Sequence, residues 1–217
     1  MSGEAVERTT GRCGELVLRR DGAHHEIVAN GVFLMDTRGG ASERLLVTAA
    51  ADRMPPPGRV LVGGLGVGFS LAAALAHPAV SAVEVVEREA AVIRWNRGPL
   101  APVHGDALRD PRVTVVEADL VDRLATAAPA SFDAVCLDVD NGPDWLVSPA
   151  NARLYTGTGL SAAARTLSPA GVLAVWSAAP SPTLAAHLDA LFTEVETLRV
   201  PVDRGAPDVV VLGARPR

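Results

Sequence analysis

VLVGGLGVGF, at residues 60–69, is followed by the run SLAAALA at residues 70–76. Val and Leu at the start favour a buried strand, the four glycines permit a tight turn, and the Ala and Leu residues favour a helix. The uncharged run is long enough to resemble a membrane span, but its change of character midway favours a strand, a turn and a helix. The N-terminus of such a helix offers unpaired N–H groups to a ligand.

The same alternation continues towards the C-terminus. Strands are predicted at residues 59–63, 81–86, 112–116, 132–138 and 170–177, and helices near 67–76, 89–97, 119–127, 151–167 and 181–191. Such alternation makes a parallel sheet, because each helix must return the chain over a face of the sheet. Two final runs, 193–200 and 207–214, predict an antiparallel hairpin at the sheet edge. The expected class is α/β, with the Rossmann-like sheet of class I methyltransferases.

The N-terminal quarter follows a different pattern. Residues 1–13 suggest a polar, frayed tail, and short alternating runs at 15–20, 24–29 and 32–36 predict a small antiparallel meander with Asp-Gly and Asn-Gly turns. Ser42 is the predicted N-cap of a helix that reaches about Arg53. Pro55-Pro-Pro-Gly58 then acts as a linker. The expected domains are residues 1–54 and residues 55–217.

Composition excludes several classes of protein. The 217 residues carry a formal charge of -5 at pH 7, and this negative charge argues against nucleic acid or an anionic membrane as a partner. The chain has two cysteines. Cys136 lies in an apolar run, as a core thiol does, and neither cysteine has a neighbour suited to a metal or disulfide. We therefore expect no metal cofactor. The N-terminus lacks a signal-peptide pattern, so we expect a cytoplasmic protein.

The glycine spacing predicts which nucleotide is bound. A dinucleotide fingerprint that starts at Gly64 requires glycine where Phe69 stands. Gly64, Gly66 and Gly68 instead give Gly-x-Gly-x-Gly, the spacing of S-adenosylmethionine sites, although a purely structural turn is the alternative. Glu87, which ends the second strand, is placed to accept both ribose hydroxyls.

Acids also follow the third and fourth strands. Asp119 can accept the exocyclic amine of adenine, cap the next helix, or do both, while Leu120 packs on the ring. Asp138 ends the fourth strand and is the candidate base that takes a proton from an acceptor. Asp140, Asn141 and Tyr155 are candidate contacts of the acceptor. The alternative for the acidic loop is a solvated turn, and the alternative for Tyr155 is a place in the core or the pocket wall.

These residues resemble the spermidine synthase-like proteins within the class I methyltransferase superfamily. The motifs that carry the resemblance span most of the chain: Asn30-Gly-Val-Phe33, Val60–Gly68, Val85-Val-Glu87, Asp110-Pro-Arg-Val113, Asp138, Leu154-Tyr155 and Leu167-Ser-Pro-Ala-Gly171. The resemblance implies ribose binding at Glu87, adenine contact at Asp119 and a base at Asp138. It also implies a pairing of subunits as a homodimer.

The sequence departs from the family pattern at two places. The family carries an acid at the position of Gly66, where it grips the amine of decarboxylated S-adenosylmethionine, and the Tyr and Gln that precede its domain are missing around Ser42. Loss of the acid leaves room for a methionine carboxylate, which an acid would repel.

Three hypotheses follow. The first is methyl transfer from S-adenosylmethionine to nitrogen or oxygen of a small-molecule acceptor. The second is aminopropyl transfer from decarboxylated S-adenosylmethionine to an amine. The third is a catalytically silent nucleoside-binding module. A nicotinamide-dependent oxidoreductase ranks last, because Phe69 breaks the dinucleotide fingerprint.

Overall fold

The computed structural model describes residues 3–202 and 205–217. The first four strands of the chain form an antiparallel sheet. Its strands, in spatial and chain order, are β1 (Glu4–Gly11), β2 (Gly14–Asp21), β3 (His24–Ala29) and β4 (Val32–Asp36). The predicted meander is confirmed, with turns at Asp21-Gly22 and Asn30-Gly31. The backbone of Asn30 has a φ of +50° and that of Gly31 a φ of +79°, which is the conformation that these turns require.

The tail predicted over residues 1–13 is wrong over its described part, because Glu4–Gly11 is strand β1. Residues 1 and 2 of that prediction lie outside the described residues. The strand has little apolar content and pairs with β2 from Glu4↔Arg20 to Gly11↔Gly14. It is held by charge, since Glu7 accepts hydrogen bonds from Arg94 and from the Trp95 indole. Strand signals based on hydrophobicity do not detect such a segment.

Seven further strands form the central sheet: β5 (Gly58–Gly63), β6 (Val80–Glu87), β7 (Val113–Glu117), β8 (Phe132–Leu137), β9 (Leu167–Ser177), β10 (Phe192–Val200) and β11 (Asp208–Pro216). Their spatial order is β10-β11-β9-β8-β5-β6-β7. Strands β5 to β9 are parallel to one another, whereas β11 is antiparallel to both β9 and β10. The predicted fold class, including the antiparallel edge hairpin, is confirmed.

Helices cover both faces of this sheet: α1 (Ala41–Ala51), α2 (Phe69–Ala76), α3 (Ala90–Asn96), α4 (Leu120–Thr126), α5 (Gly157–Thr166) and α6 (Pro182–Leu191). One hydrophobic cluster joins α1, α2, α3 and the N-terminal sheet to one face, and a second joins α4, α5 and α6 to the other. Cys136 is fully buried, as expected for a core thiol. The boundary placed between residues 54 and 55 stays a prediction.

Two helix predictions need correction. The helix predicted over 151–167 is a 3-10 segment (Pro149–Tyr155) followed by α5, because Thr156 is extended and caps α5 through Gly159 N–H. Ser42 does not cap α1. Gly40, with a φ of +93°, is the N-cap, and the Ser42 hydroxyl contacts carboxylates instead.

Candidate active site

A cavity of about 190 Å³ lies at the carboxyl ends of β5, β6, β7 and β8. Ligands of open α/β sheets bind where the strand order reverses. Here the reversal lies at β5, because β6 and β7 follow it on one side of the sheet and β8 and β9 lie on its other side. The N-terminal sheet forms the apolar wall opposite the strand ends. The predicted site residues that line the cavity are Gly64, Gly66, Glu87, Asp119, Leu120, Asp138, Asp140 and Asn141. Gly68 and Tyr155 are not among its lining residues.

The glycine loop between β5 and α2 packs too closely for side chains. Gly64, Gly66 and Gly68 have φ values of +94°, +51° and +91°. A Cβ on Gly64 would overlap the carbonyl oxygen of Asp138, and one on Gly66 would overlap the sulfur of Met35. Gly68 does not line the cavity and packs against the His104 ring, which a Cβ on Gly68 would overlap. These glycines are therefore required by the backbone and its neighbours.

Glu87 lies at the end of β6 and faces the loop. Its carboxylate accepts hydrogen bonds from the N–H groups of Leu65 (3.0 Å) and Glu89 (2.8 Å). Burial raises the pKa of Glu87, and the two N–H groups oppose that change. The carboxylate is thus fixed to the glycine loop and lines the cavity, and ribose binding at Glu87 stays a prediction.

Asp119 caps α4, since its Oδ1 accepts a hydrogen bond from Val121 N–H at 2.9 Å. The capping alternative is therefore observed. Asp119 and Leu120 also line the cavity, and Leu120 packs against Gly63 where a Cβ would overlap it. Contact with an adenine stays a prediction that this placement allows.

Asp138 follows β8 directly and contacts α2. Its Oδ2 accepts a hydrogen bond of 2.8 Å from Ser70, whose side chain is buried. Burial and the negative charge of Glu43 raise the pKa of Asp138 to about 7, and the hydrogen bond from Ser70 lowers it in part. A carboxyl group that titrates near neutral pH is suited to accept and release a proton.

The acidic loop after Asp138 is held from one side. Asp140 has a φ of +57°, unusual for a residue with a side chain, and its Oδ2 accepts a hydrogen bond from Asn151 at 2.8 Å. Burial raises the pKa of Asp140. The hydroxyl of Tyr155 donates to the carbonyl oxygen of Val139 at 2.5 Å. Tyr155 therefore supports the loop from behind and does not face the cavity.

Several cavity residues were not found from the sequence. Glu43 comes from α1 and Leu16, Ile27 and Met35 come from the N-terminal sheet, all brought to the strand ends by tertiary packing. Glu89 could have been noticed, because it lies two residues beyond Glu87 at the same strand end. The other side chains carry no local signal.

The cavity is strongly acidic. Among the described residues that line it, seven carry a carboxylate and one, Arg88, carries a positive charge. The acids are Glu15, Glu43, Glu87, Glu89, Asp119, Asp138 and Asp140. Arg88 is already engaged, because it donates to Asn151 at 2.9 Å and lies 3.6 Å from Glu89. The cavity is therefore suited to a cationic ligand.

Within residues 3–202 and 205–217, no three His, Cys, Asp or Glu side chains are grouped as metal ligands. In the same part of the chain, no helix has the length and apolar character needed to cross a bilayer.

This chain is similar to several known proteins. The family model described as the spermine/spermidine synthase domain matches residues 41–191. A polyamine aminopropyltransferase of Mycobacterium tuberculosis is 34% identical over 173 residues, which are 78% of this chain and 32% of that protein. Putrescine N-methyltransferase 1 of Nicotiana tabacum is 29% identical over 129 residues, which are 59% of this chain and 33% of that protein.

Structural similarity extends over nearly the whole chain. A spermidine synthase from Thermotoga maritima superposes with a TM-score of 0.82 at 16% identity, covering 97% of this chain and 72% of that one. At that identity the likeness shows the fold. The chain spans about a third of the length of the curated relatives it matches.

Proposed function

The chain belongs to the spermine/spermidine synthase family, and from that premise we propose that it transfers an aminopropyl group from decarboxylated S-adenosylmethionine to an amine. The polyamine aminopropyltransferase relatives support this second hypothesis better than the methyl-transfer hypothesis.

The observation that carries the proposal is the acidic lining of the cavity, with one arginine against seven carboxyl groups, of which Asp138 has a pKa of about 7. The decarboxylated donor has a sulfonium and an ammonium group, and polyamine acceptors are cationic as well. S-adenosylmethionine would add a further carboxylate to this field. Like charges within a few ångströms of one another cost about 1 kcal/mol in water and more in a partly buried cavity.

The roles within the site follow from position. We assign ribose binding to Glu87 and adenine binding to Asp119 and Leu120. Gly64 and Gly66 let the donor lie close to the backbone, and Gly68 supports the glycine loop. Asp140 and Asn141 face the acceptor, and Tyr155 acts on it through the loop.

The chemical step needs a base and an aligned acceptor. Asp138 takes one proton from the acceptor ammonium, and the freed nitrogen attacks the aminopropyl carbon that is bonded to sulfur. The bond between that carbon and sulfur breaks, and its electron pair stays on sulfur. The products are a neutral methylthioadenosine and a longer amine. A pKa of about 7 lets Asp138 hold the proton and then pass it to water.

A second candidate is N-methylation of an amine, which the putrescine N-methyltransferase relatives support. The observation that favours it is Gly66, which lies against the Met35 sulfur and carries no carboxylate to hold an aminopropyl amine. The acidic cavity suits the same amine acceptor in either reaction.

Product analysis separates the candidates. The protein is incubated with putrescine and either donor, and nucleoside products are resolved by chromatography. Methylthioadenosine from the decarboxylated donor supports the proposal, whereas S-adenosylhomocysteine from S-adenosylmethionine supports methylation and overturns it. Binding of methylthioadenosine without turnover of either donor would leave a silent nucleoside-binding module. Location in the cytoplasm and homodimer formation stay predictions.

A further inference from the structure

We propose that Ser70 and Glu43 are positioning residues for Asp138 that act on its carboxyl group in opposite directions. This inference rests on the proposed function, in which Asp138 accepts the proton of the acceptor amine. Neither residue was a candidate from the sequence, and they reach Asp138 from two different helices.

Ser70 is placed to serve both protonation states of Asp138. Its hydroxyl lies 2.8 Å from Asp138 Oδ2 and 3.3 Å from the backbone carbonyl oxygen of Glu43. When Asp138 is ionised, the single hydroxyl hydrogen of Ser70 is donated to it. When Oδ2 carries a proton, Ser70 can accept that proton's hydrogen bond and turn its own hydrogen to the carbonyl. The buried pair is therefore satisfied before and after proton transfer.

The shorter of the two contacts favours the ionised form. A hydrogen bond to a charged acceptor is stronger than one to a neutral acceptor. Ser70 is 2% exposed, so water does not readily replace it. Loss of this hydroxyl should therefore make Asp138 hold its proton more tightly.

Glu43 acts through its charge. It lines the same cavity as Asp138, and its negative charge disfavours ionisation of Asp138. Ser42, which is 4% exposed, donates to Glu43 Oε2 at 2.9 Å and lies 2.8 Å from Asp208 Oδ2. The single hydroxyl hydrogen of Ser42 is thus shared between two carboxyl groups, and burial raises the pKa of Asp208. The contact with Ser42 holds the Glu43 carboxylate in place at the start of α1.

Asp140, two residues along the chain, lines the same cavity as Asp138, and burial raises its pKa as well. Cys136 faces Asp138 from β8 and Tyr155 from the 3-10 segment, and burial raises the pKa of both above the physiological range. The negative charge of Glu43 on α1 and the hydroxyl of Ser70 on α2 therefore change the pKa of Asp138 in opposite directions. A substitution at each residue can measure the two effects separately.

The test is a direct titration of Asp138 in the ligand-free protein. Protein carrying ¹³C-labelled aspartate carboxyls is followed by NMR across neutral pH, and the Asp138 signal is assigned by its loss in Asp138→Asn. We expect Ser70→Ala to raise the Asp138 pKa and Glu43→Gln to lower it, by about one pH unit each, the size typical of one hydrogen bond or one partly screened charge.

Matched variants control for nonspecific effects. Glu194→Gln removes an exposed carboxylate on β10, and Ser131→Ala removes a hydroxyl bonded to a loop carbonyl; neither should move the Asp138 signal. Ser70→Cys, which keeps the volume with a weaker donor, replaces Ser70→Ala if that variant does not fold.

Displacements in the same direction, or none, would overturn the proposal, because a merely structural role gives no reason for opposite signs. The pH profile of aminopropyl transfer should move with the NMR titration in each variant. If the titrations separate as expected but no transfer occurs at any pH, the proposed function fails while the two contacts stand. The two failures are thus distinguishable.

Discussion

Asp138→Asn is expected to stabilise the protein above neutral pH. In the folded chain, burial and Glu43 raise the pKa of Asp138 to about 7, whereas an aspartate in an unfolded chain titrates near 3.9. Between these values the folded protein keeps a proton that the unfolded chain has lost, so the free energy of unfolding falls as pH rises. Above about pH 7 both states are ionised and the destabilisation is complete.

The magnitude follows from the same two values. A difference of about three pH units corresponds to about 4 kcal/mol at 1.36 kcal/mol per unit. Asp138 is half-buried, and solvent screening reduces the figure, so we expect Asp138→Asn to gain about 2–4 kcal/mol at pH 8. The asparagine carbonyl can still accept the Ser70 hydrogen bond, so the substitution removes the charge and retains the contact.

The assay is equilibrium unfolding in urea at about pH 5 and about pH 8. The advantage of Asp138→Asn over the unsubstituted protein should grow by about 2 kcal/mol between these conditions. Asp144→Asn, in the exposed part of the same loop, is the matched control and should show little change. A gain that does not grow with pH, or a loss of stability at pH 8, would refute the reasoning.

Three further substitutions test other parts of the site. Glu87→Gln should weaken methylthioadenosine binding about 10- to 100-fold in calorimetric titration, because an amide gives up charge-assisted hydrogen bonds to ribose; unchanged affinity would contradict the ribose assignment. Gly64→Ala should lower the free energy of urea unfolding by about 2 kcal/mol or more, since its Cβ overlaps the Asp138 carbonyl oxygen. Gly31→Ala, which also has a positive φ but open space around it, should lose only about 1 kcal/mol, and equal losses would rule out the overlap as the cause. Tyr155→Phe should raise the KM of the amine about 3- to 10-fold and leave the Kd of methylthioadenosine unchanged, because its hydroxyl holds only the acceptor loop; a parallel loss of nucleoside affinity, measured by calorimetry, would contradict that separation.

The central sheet was accessible from the sequence because its signals are local. Parallel strands are buried on both faces, so β5 and β8 appear as short apolar runs, and glycines or acids mark where each ends. Residues at the carboxyl ends of neighbouring parallel strands must lie together, and for this reason Glu87, Asp119 and Asp138 could be grouped before any coordinates.

Predictions failed where stability comes from distant partners. Strand β1 is held by Glu7, which contacts Arg94 and Trp95 from α3, and its own residues alternate too weakly to show it. Ser42 has the character of an N-cap, yet Asp208 lies beside it at the other end of the chain, and Gly40 takes the capping position. Contacts across such separations leave no periodicity to detect.

The sequence by itself determined the Rossmann-like sheet, the glycine loop and the carboxylates at the strand ends, since each depends on residues adjacent in the chain. Only the tertiary structure decided what surrounds those carboxylates. It brought Glu43 and Ser70 to Asp138, placed Met35 against Gly66, and concentrated seven acids around one cavity. The pKa of a carboxyl group depends on burial and on charges within a few ångströms, and those are set by packing between elements that are far apart in the chain.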